Sequence, residues 1–341
     1  VLSALRGKEF IVQSFGEKEK RLRPPPPFHT SAMQQAAASR LGFSPKKTMA
    51  LAQKLYEGVE LPEGPTGLIT YMRTDSTRMA GEAVAEARDH IVSAFGGQFR
   101  AEKPRHYKTK KGAQDAHEAI RPTSVARTPE SLKPHLNTDQ FRLYQLIWRR
   151  FLATQMAQAV YENTTLMIEA EGHAFKATGS VVAFPGWTSA YSAVRTDIRE
   201  LPALSEGEAL TARSMDANQR FTKPPARYSE ATLIKELESN GIGRPSTYAA
   251  IVDTLKKRRY VSLDKRLFVP TELGRTVWSL LEQAFSDLFN VDFTAQMESD
   301  LDRVESGEDA WADVVGEFYR PFKSRLDDVE GRIEDLKRSL I

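Results

Sequence analysis

Cysteine is absent from this 341-residue sequence, which excludes disulfides and thiolate metal sites and fits a reducing cytoplasm. The six histidines are scattered and form no HxxxH pair, so no histidine-paired metal spacing exists. No apolar run approaches the roughly 18 residues that a membrane helix needs, and no membrane partner is expected. No signal peptide is expected in the stretch given: "VLSALRGKEFIVQSF" is interrupted by charge at Arg6. Val1 is not an initiator residue, and the chain is expected to be a piece of a longer one. No internal repeat of fixed period is visible.

With 40% hydrophobic and 27% charged residues, the composition is that of an ordered soluble protein, long enough for two or three domains. Its net charge of +3 is unevenly spread. Residues 287–341 hold 15 Asp/Glu against 7 Lys/Arg, which leaves the other 286 with a surplus of +11. Between positions 100 and 150 there are 12 basic and 5 acidic residues. Such a balance suggests a polyanionic partner, although solvated lysines account for many single clusters.

Proline and glycine divide the chain. "EFIVQSFGEKEKRLRPPPPFHT" predicts a strand, a charged turn and a stiff polyproline connector, with a domain boundary near His29. Helices are expected over "SAMQQAAASRLGF", stopped by Gly42, and over "SPKKTMALAQKLYEG", with Ser44 as N-cap and Gly58 at the end. Two more follow, "GEAVAEARDHIVSAFGG" and a long one from Thr138 to about Val160. The period then switches to two: "YENTTLMIEAEGHAFKATGSVV" predicts a hairpin turning at Glu171 and Gly172, with strands to about Ser214. Beyond "FTKPPARYSE" comes a helix capped by Ser229 and stopped by Gly241, then a second starting at an N-cap Ser246. A short hairpin over "YVSLDKRLFVPTELG" and an almost wholly helical end complete the chain. Helix, link, helix and hairpin suggest a winged helix-turn-helix, whose second helix usually meets nucleic acid.

Three motifs could carry chemistry. In "GLITYMRTDST" (67–77), an extended 68–73 would put Tyr71 and Arg73 on one face with Ile69 behind them, and Leu68, Thr70 and Met72 on the other. A phenol beside a permanent cation suits phosphoryl chemistry; many half-buried strands look the same. "QDAHEAIRPT" places His117 and Arg121 at i and i+4, one face of a helical turn ended by Pro122, able to meet a phosphate or simply to close a helix-end salt bridge. "GIGRPST" sets Arg244, Ser246 and Thr247 at a helix start, which suits an anion and equally a plain capped turn. The cations of "LKKRRYV" suit a helix C-terminus in any case.

These blocks, with "RPPPPFHTSAMQQAAASRLGFSPKKTM" and "PPARYSEATLIKELESNGIGRPSTYAAIVDTLKKRRYV", closely resemble the body of the type IA DNA topoisomerases of the bacterial topoisomerase I kind. The resemblance covers nearly the whole chain and is weakest over 160–215 and 310–341. It implies a mixed, mainly α fold with a β-rich arch: a padlock-like multidomain body with winged-helix-like helical domains. The arch is expected from 1–30 and 158–220, the helical domain bearing the nucleophilic tyrosine from 31–157, and a single-strand-binding helical domain from 221–341. By resemblance, Tyr71 forms the 5′-phosphotyrosine bond, Arg73 lies beside it and His117 contacts the scissile region. Arg121, Arg244, Ser246, Thr247 and Arg258 are expected on the DNA backbone. The implied partners are single-stranded and negatively supercoiled DNA, met by a monomer in the cytoplasm.

The family's Mg²⁺ is held by clustered acidic residues of an N-terminal domain, with a catalytic glutamate and lysine. None of these precedes Val1 and no DxD-type cluster replaces them, so this chain is expected to supply no metal ligand. The family's cysteine-rich zinc modules are missing too. Arg259 stands where the resemblance leads one to expect glycine. A non-catalytic single-strand-binding scaffold, or a relative of topoisomerase III or reverse gyrase, is the alternative.

Overall fold

In the computed structural model, which describes residues 1–108, 117–192 and 198–332, the chain begins with one helical turn, α1 (Leu2–Leu5), and a long strand, β1 (Glu9–Leu22). Helix α2 (Thr30–Leu41) stops where Gly42 takes a left-handed φ of 72°. Helix α3 (Pro45–Glu57) starts from Ser44, whose hydroxyl accepts the Lys47 N–H at 3.2 Å. A small hairpin, β2 (Val59–Leu61) and β3 (Gly64–Thr66), precedes α4 (Gly81–Phe95), the turn α5 (Pro129–Leu132) and the long α6 (Thr138–Gln155). The buried face of α6, with Leu143, Ile147, Phe151 and Leu152, packs with α3 and α4 into the main core.

The sequence extends α6 to about Val160 because "MAQAV" contains no helix breaker. The helix ends at Gln155 because outside partners take the next backbone groups. Ala157 N–H donates to Phe99 O at 2.6 Å, and Gln155 O accepts the Ala101 N–H at 3.0 Å. The chain then enters β4 (Ala159–Ala170), turns at Glu171 and Gly172, both at positive φ, and returns as β5 (His173–Phe184). β4 also pairs antiparallel with β1, from Ile11↔Glu169 to Leu22↔Ala159. With β6 (Ala209–Thr211) on the far side of β1, the sheet order is β5-β4-β1-β6. The charged turn expected within "GEKEKR" is therefore absent. Pairing with β4 holds that run extended while its charged side chains stay in solvent, a tertiary override of local propensity.

The C-terminal part opens with α7 (Glu230–Ser239), capped reciprocally by Ser229 and Thr232, and α8 (Tyr248–Lys257). The hairpin β7 (Val261–Asp264) and β8 (Leu267–Pro270) follows, then α9 (Glu272–Ala284), α10 (Val291–Glu305) and α11 (Trp311–Gly331). The expected helical end is present as far as this; residues 333–341 lie outside those described. Thr247, not Ser246, is the N-cap of α8. The expected cap fails because 245–247 form their own turn, in which the Thr247 hydroxyl accepts the Arg244 N–H at 2.7 Å. Arg259 adopts φ 56°, the left-handed region that favours glycine, and lets Tyr260 N–H reach Leu255 O at 3.0 Å. α7 packs on α2 and α8 on α3, which brings the C-terminal part against the helical body. The mixed, mainly helical composition agrees with the sequence expectation. No helix among the described residues is long and apolar enough to cross a membrane.

Candidate active site

The segment 68–73 is a pinned loop rather than a strand, with one isolated bridge, Ile69↔Pro122. Gly67 makes its approach possible: a Cβ there would meet the Tyr56 carbonyl at 2.8 Å, while Leu68 N–H donates to Leu55 O at 2.7 Å. Leu68 and Ile69 are both buried, so Ile69 does not share a face with Tyr71 as expected. Beyond Thr70 the alternation does hold: Tyr71 and Arg73 are exposed, Met72 and Thr74 buried.

Both ends of Tyr71 are tied down. On one side, Thr70 N–H donates to Arg121 O at 2.9 Å, and Thr123 N–H to Leu68 O at 3.0 Å. On the other side, the fully buried Thr30 grips the chain. Its hydroxyl donates to Met72 O at 2.7 Å and accepts the Thr74 N–H at 2.9 Å, while its own N–H reaches Thr74 O at 2.9 Å. The Tyr71 ring, 39% exposed, lies 5.4 Å from the Tyr56 ring and 5.7 Å from that of His117. A nucleophile held by a fixed backbone and open to solvent is the arrangement an in-line attack needs.

The helical turn expected over 117–121 is absent. Ala119 N–H donates to Arg78 O and Ile120 N–H to Phe28 O, each at 2.7 Å, so the run is drawn out straight between neighbours. His117 reaches Tyr71 all the same, but Arg121 does not share a helical face with it. The Arg121 guanidinium turns instead to Glu118 Oε2 at 2.8 Å and Pro122 O at 3.0 Å. Burial pushes the Glu118 carboxyl up, but the Arg121 hydrogen bond and charge outweigh it and hold Glu118 below the usual range.

Two clefts join the tyrosine segment to the C-terminal part. Arg73 shares a cavity of about 320 Å³ with Lys46, Ser246, Asp253 and Lys257, in which Lys46 and Lys257 hold Asp253 at 3.2 and 2.9 Å. Arg244 lines another, of about 260 Å³, with His29, Ser31, Thr74, Asp75 and Glu238. Its guanidinium binds Asp302 through two hydrogen bonds, at 2.9 and 2.6 Å, and lies 3.4 Å from Glu298. The Asp302 hydrogen bond outweighs burial and raises its pKa above the ordinary value. Tyr248, on the same cavity, is pushed up to about 12 by burial, with the Glu238 charge adding to it. Arg258 is exposed at the far end of α8, about 17 Å along the axis from Thr247 at 1.5 Å per residue. Thus Tyr71 and His117 meet, Arg73 and Ser246 share one cleft, Arg121 pins Thr70 through its carbonyl while its guanidinium is taken by Glu118 and Pro122, and Arg258 lines neither cleft.

Sequence reasoning missed Thr30, Tyr56 and Lys46. Each meets the site through a partner distant in the chain, and no local pattern marks them. Among the described residues no group of three or more His, Asp or Glu side chains could hold a metal ion, so the Mg²⁺ of the resemblance finds no fitting seat among them.

A family model described as DNA topoisomerase matches residues 1–316. Among solved structures, full-length topoisomerase I from Thermotoga maritima is similar at a TM-score of 0.85 and 42% sequence identity. The similarity covers 95% of this chain and 53% of that one, so this chain spans about half the length of that protein.

Proposed function

The chain belongs to the type IA DNA topoisomerase family, and from that premise we propose that it is the tyrosine-bearing part of a DNA topoisomerase I. The supporting observation is the exposed Tyr71, held at both flanks by buried backbone hydrogen bonds and touching His117. Tyr71 Oη attacks a phosphorus of single-stranded DNA and the P–O3′ bond breaks. The phosphate stays on the phenol as a 5′-phosphotyrosine, and the proton lost by the phenol balances the one gained by the leaving 3′-hydroxyl. Arg73 faces the charge that builds on the non-bridging oxygens, and His117 donates to the scissile phosphate. The ester conserves the energy of the broken bond. Attack by the 3′-hydroxyl reseals the strand without ATP, and passage of a strand between the two steps relaxes negative supercoils.

Arg244, Ser246, Thr247 and Arg258 would hold the backbone of the strand, Arg244 by exchanging its Asp302 partner for phosphate. Arg121, paired with Glu118, would act at the margin. The protein would work as a monomer on the nucleoid DNA of the cytoplasm, with Mg²⁺ supplied by a separate metal-binding domain of the same enzyme. The chain by itself should bind a single-stranded oligonucleotide without cleaving it, with affinity falling steeply as salt rises. Adding a topoisomerase I metal-binding domain in trans with Mg²⁺ should restore cleavage. Robust relaxation by the chain alone would contradict this reading, and binding without any cleavage in the mixture would leave the non-catalytic scaffold in its place.

A further inference from the structure

The first turn of α2 carries a burden and lacks a usual support. Its Thr30 holds both Met72 and Thr74, and so fixes the backbone on the C-terminal side of Tyr71. Yet its N-cap, His29, makes no side-chain capping hydrogen bond, and the first turn contains no acidic residue. The positive end of this helix is therefore without a carboxylate of its own.

Glu238 supplies one from another element. It stands in the last turn of α7, a position where a negative charge faces the negative end of its own helix dipole and is locally unfavourable. Its carboxylate accepts the Ser31 hydroxyl, lies 3.5 Å from Gln35 Nε2 and 3.8 Å from His29 Nδ1. His29 is the N-cap of α2, Ser31 lies in its first turn and Gln35 one turn further on; Ser31 is 2% exposed. Glu238, Thr74 and Asp75 line the same cavity.

We propose that Glu238 is a positioning residue for the nucleophile, acting from α7 through the first turn of α2 and Thr30 on the Tyr71–Thr74 backbone. This rests on the reading of Tyr71 as nucleophile for its consequence, though not for its geometry.

Amide hydrogen exchange on the present chain tests the geometry. In Glu238→Ala, exchange at Thr30 and Thr74 should speed up about tenfold, the size expected on losing a hydrogen bond to a charged acceptor. The amides of Ile147 and Phe151 in α6 should not change. Glu238→Gln keeps an oxygen that accepts the Ser31 hydroxyl and should retain most of the protection; Ser31→Ala should reproduce the loss. Unchanged protection at Thr74 in Glu238→Ala, or an equal rise in α6, overturns the proposal. In the full-length enzyme, Glu238→Ala should lower the rate of covalent adduct formation with oligonucleotide affinity unchanged within twofold, and Glu238→Gln should recover it. A loss confined to affinity also overturns it. Absence of adduct in every form, wild type included, alongside the exchange effect would condemn the nucleophile reading and leave the positional coupling standing.

Discussion

The helical body and the C-terminal helices share a secondary structure but not a way of holding it. In the body, α3, α4 and α6 close on a continuous core that includes Leu55, Leu68, Ile69, Met72, Ile91, Ile147 and Phe151, all essentially inaccessible. In the C-terminal helices, α9 buries only Ala284, and α10 and α11 bury nothing. What joins them is a ladder of half-exposed rings, with Phe285, Phe318 and Phe322 stacked at 5.5 to 6.0 Å, while Trp278 and Trp311 face solvent. The chemistry proposed for Tyr71 needs a side chain fixed to a fraction of an ångström, and the buried Leu68, Ile69 and Met72 anchor its backbone in the well-packed part. The proposed phosphate contacts tolerate more movement; Arg244, Ser246 and Arg258 lie between the two regions, at the ends of α8, where Ile234, Tyr248, Val252 and Phe268 form a small core of their own.

Among the cations, the largest effect on rate is expected at Arg73. Arg73→Ala should slow adduct formation in the reconstituted enzyme about a hundredfold, by the loss of one electrostatic partner worth on the order of 3 kcal/mol, with little change in affinity. Lysine should not fully rescue it, since an ammonium lacks the planar fork. Arg258→Ala should instead weaken binding and flatten its salt dependence while sparing the rate of the bound complex. If the two substitutions behave alike, the division between fixed chemistry and tolerant binding fails.

Truncations measure the packing difference itself. Phe151→Ala, at a site 1% exposed, should cost about 3–5 kcal/mol in denaturant unfolding. Trp311→Ala, at a site 70% exposed, should cost less than about 0.5 kcal/mol despite the larger side chain removed. Equal losses would mean that the C-terminal helices are as tightly built as the body.

A smaller change is expected at Arg259. Glycine there relieves a left-handed conformation at φ 56° and should stabilise the α8–β7 junction by about 1 kcal/mol, read as a rise in denaturation midpoint. An alkaline limb is expected as well. Burial pushes Tyr107 in the body and Tyr248 in the C-terminal part each up to about 12. The folded state then keeps these protons longer than the unfolded one. Their contribution is intact below about pH 10 and falls as pH rises towards 12. Tyr107→Phe and Tyr248→Phe should each flatten part of that fall in a pH series of unfolding midpoints.

Much of the local architecture is legible in the amino-acid sequence. The caps at Ser44 and Ser229, the stop at Gly42, the turn at Glu171–Gly172 and the late hairpin follow from local chemistry, and local chemistry is what a sequence displays. Exposure of Tyr71 and Arg73 is legible too, since alternation of polarity survives without a strand. The failures have a common cause. The extended "GEKEKR" run, the early end of α6 and the straightened 117–121 segment are all imposed by backbone partners far away in sequence. The same holds for Thr30 and Tyr56, whose importance lies in what they touch.

The most direct test is the protein–DNA adduct trapped by denaturation during cleavage of an end-labelled single strand in the reconstituted enzyme, with the linked peptide sequenced. The wild-type adduct should map to Tyr71. Tyr71→Phe removes one hydroxyl from a 39% exposed ring, so folding and DNA affinity should be unchanged while the adduct vanishes. An adduct that persists in Tyr71→Phe, or a wild-type linkage that maps elsewhere, would contradict the assignment of Tyr71 as the nucleophile.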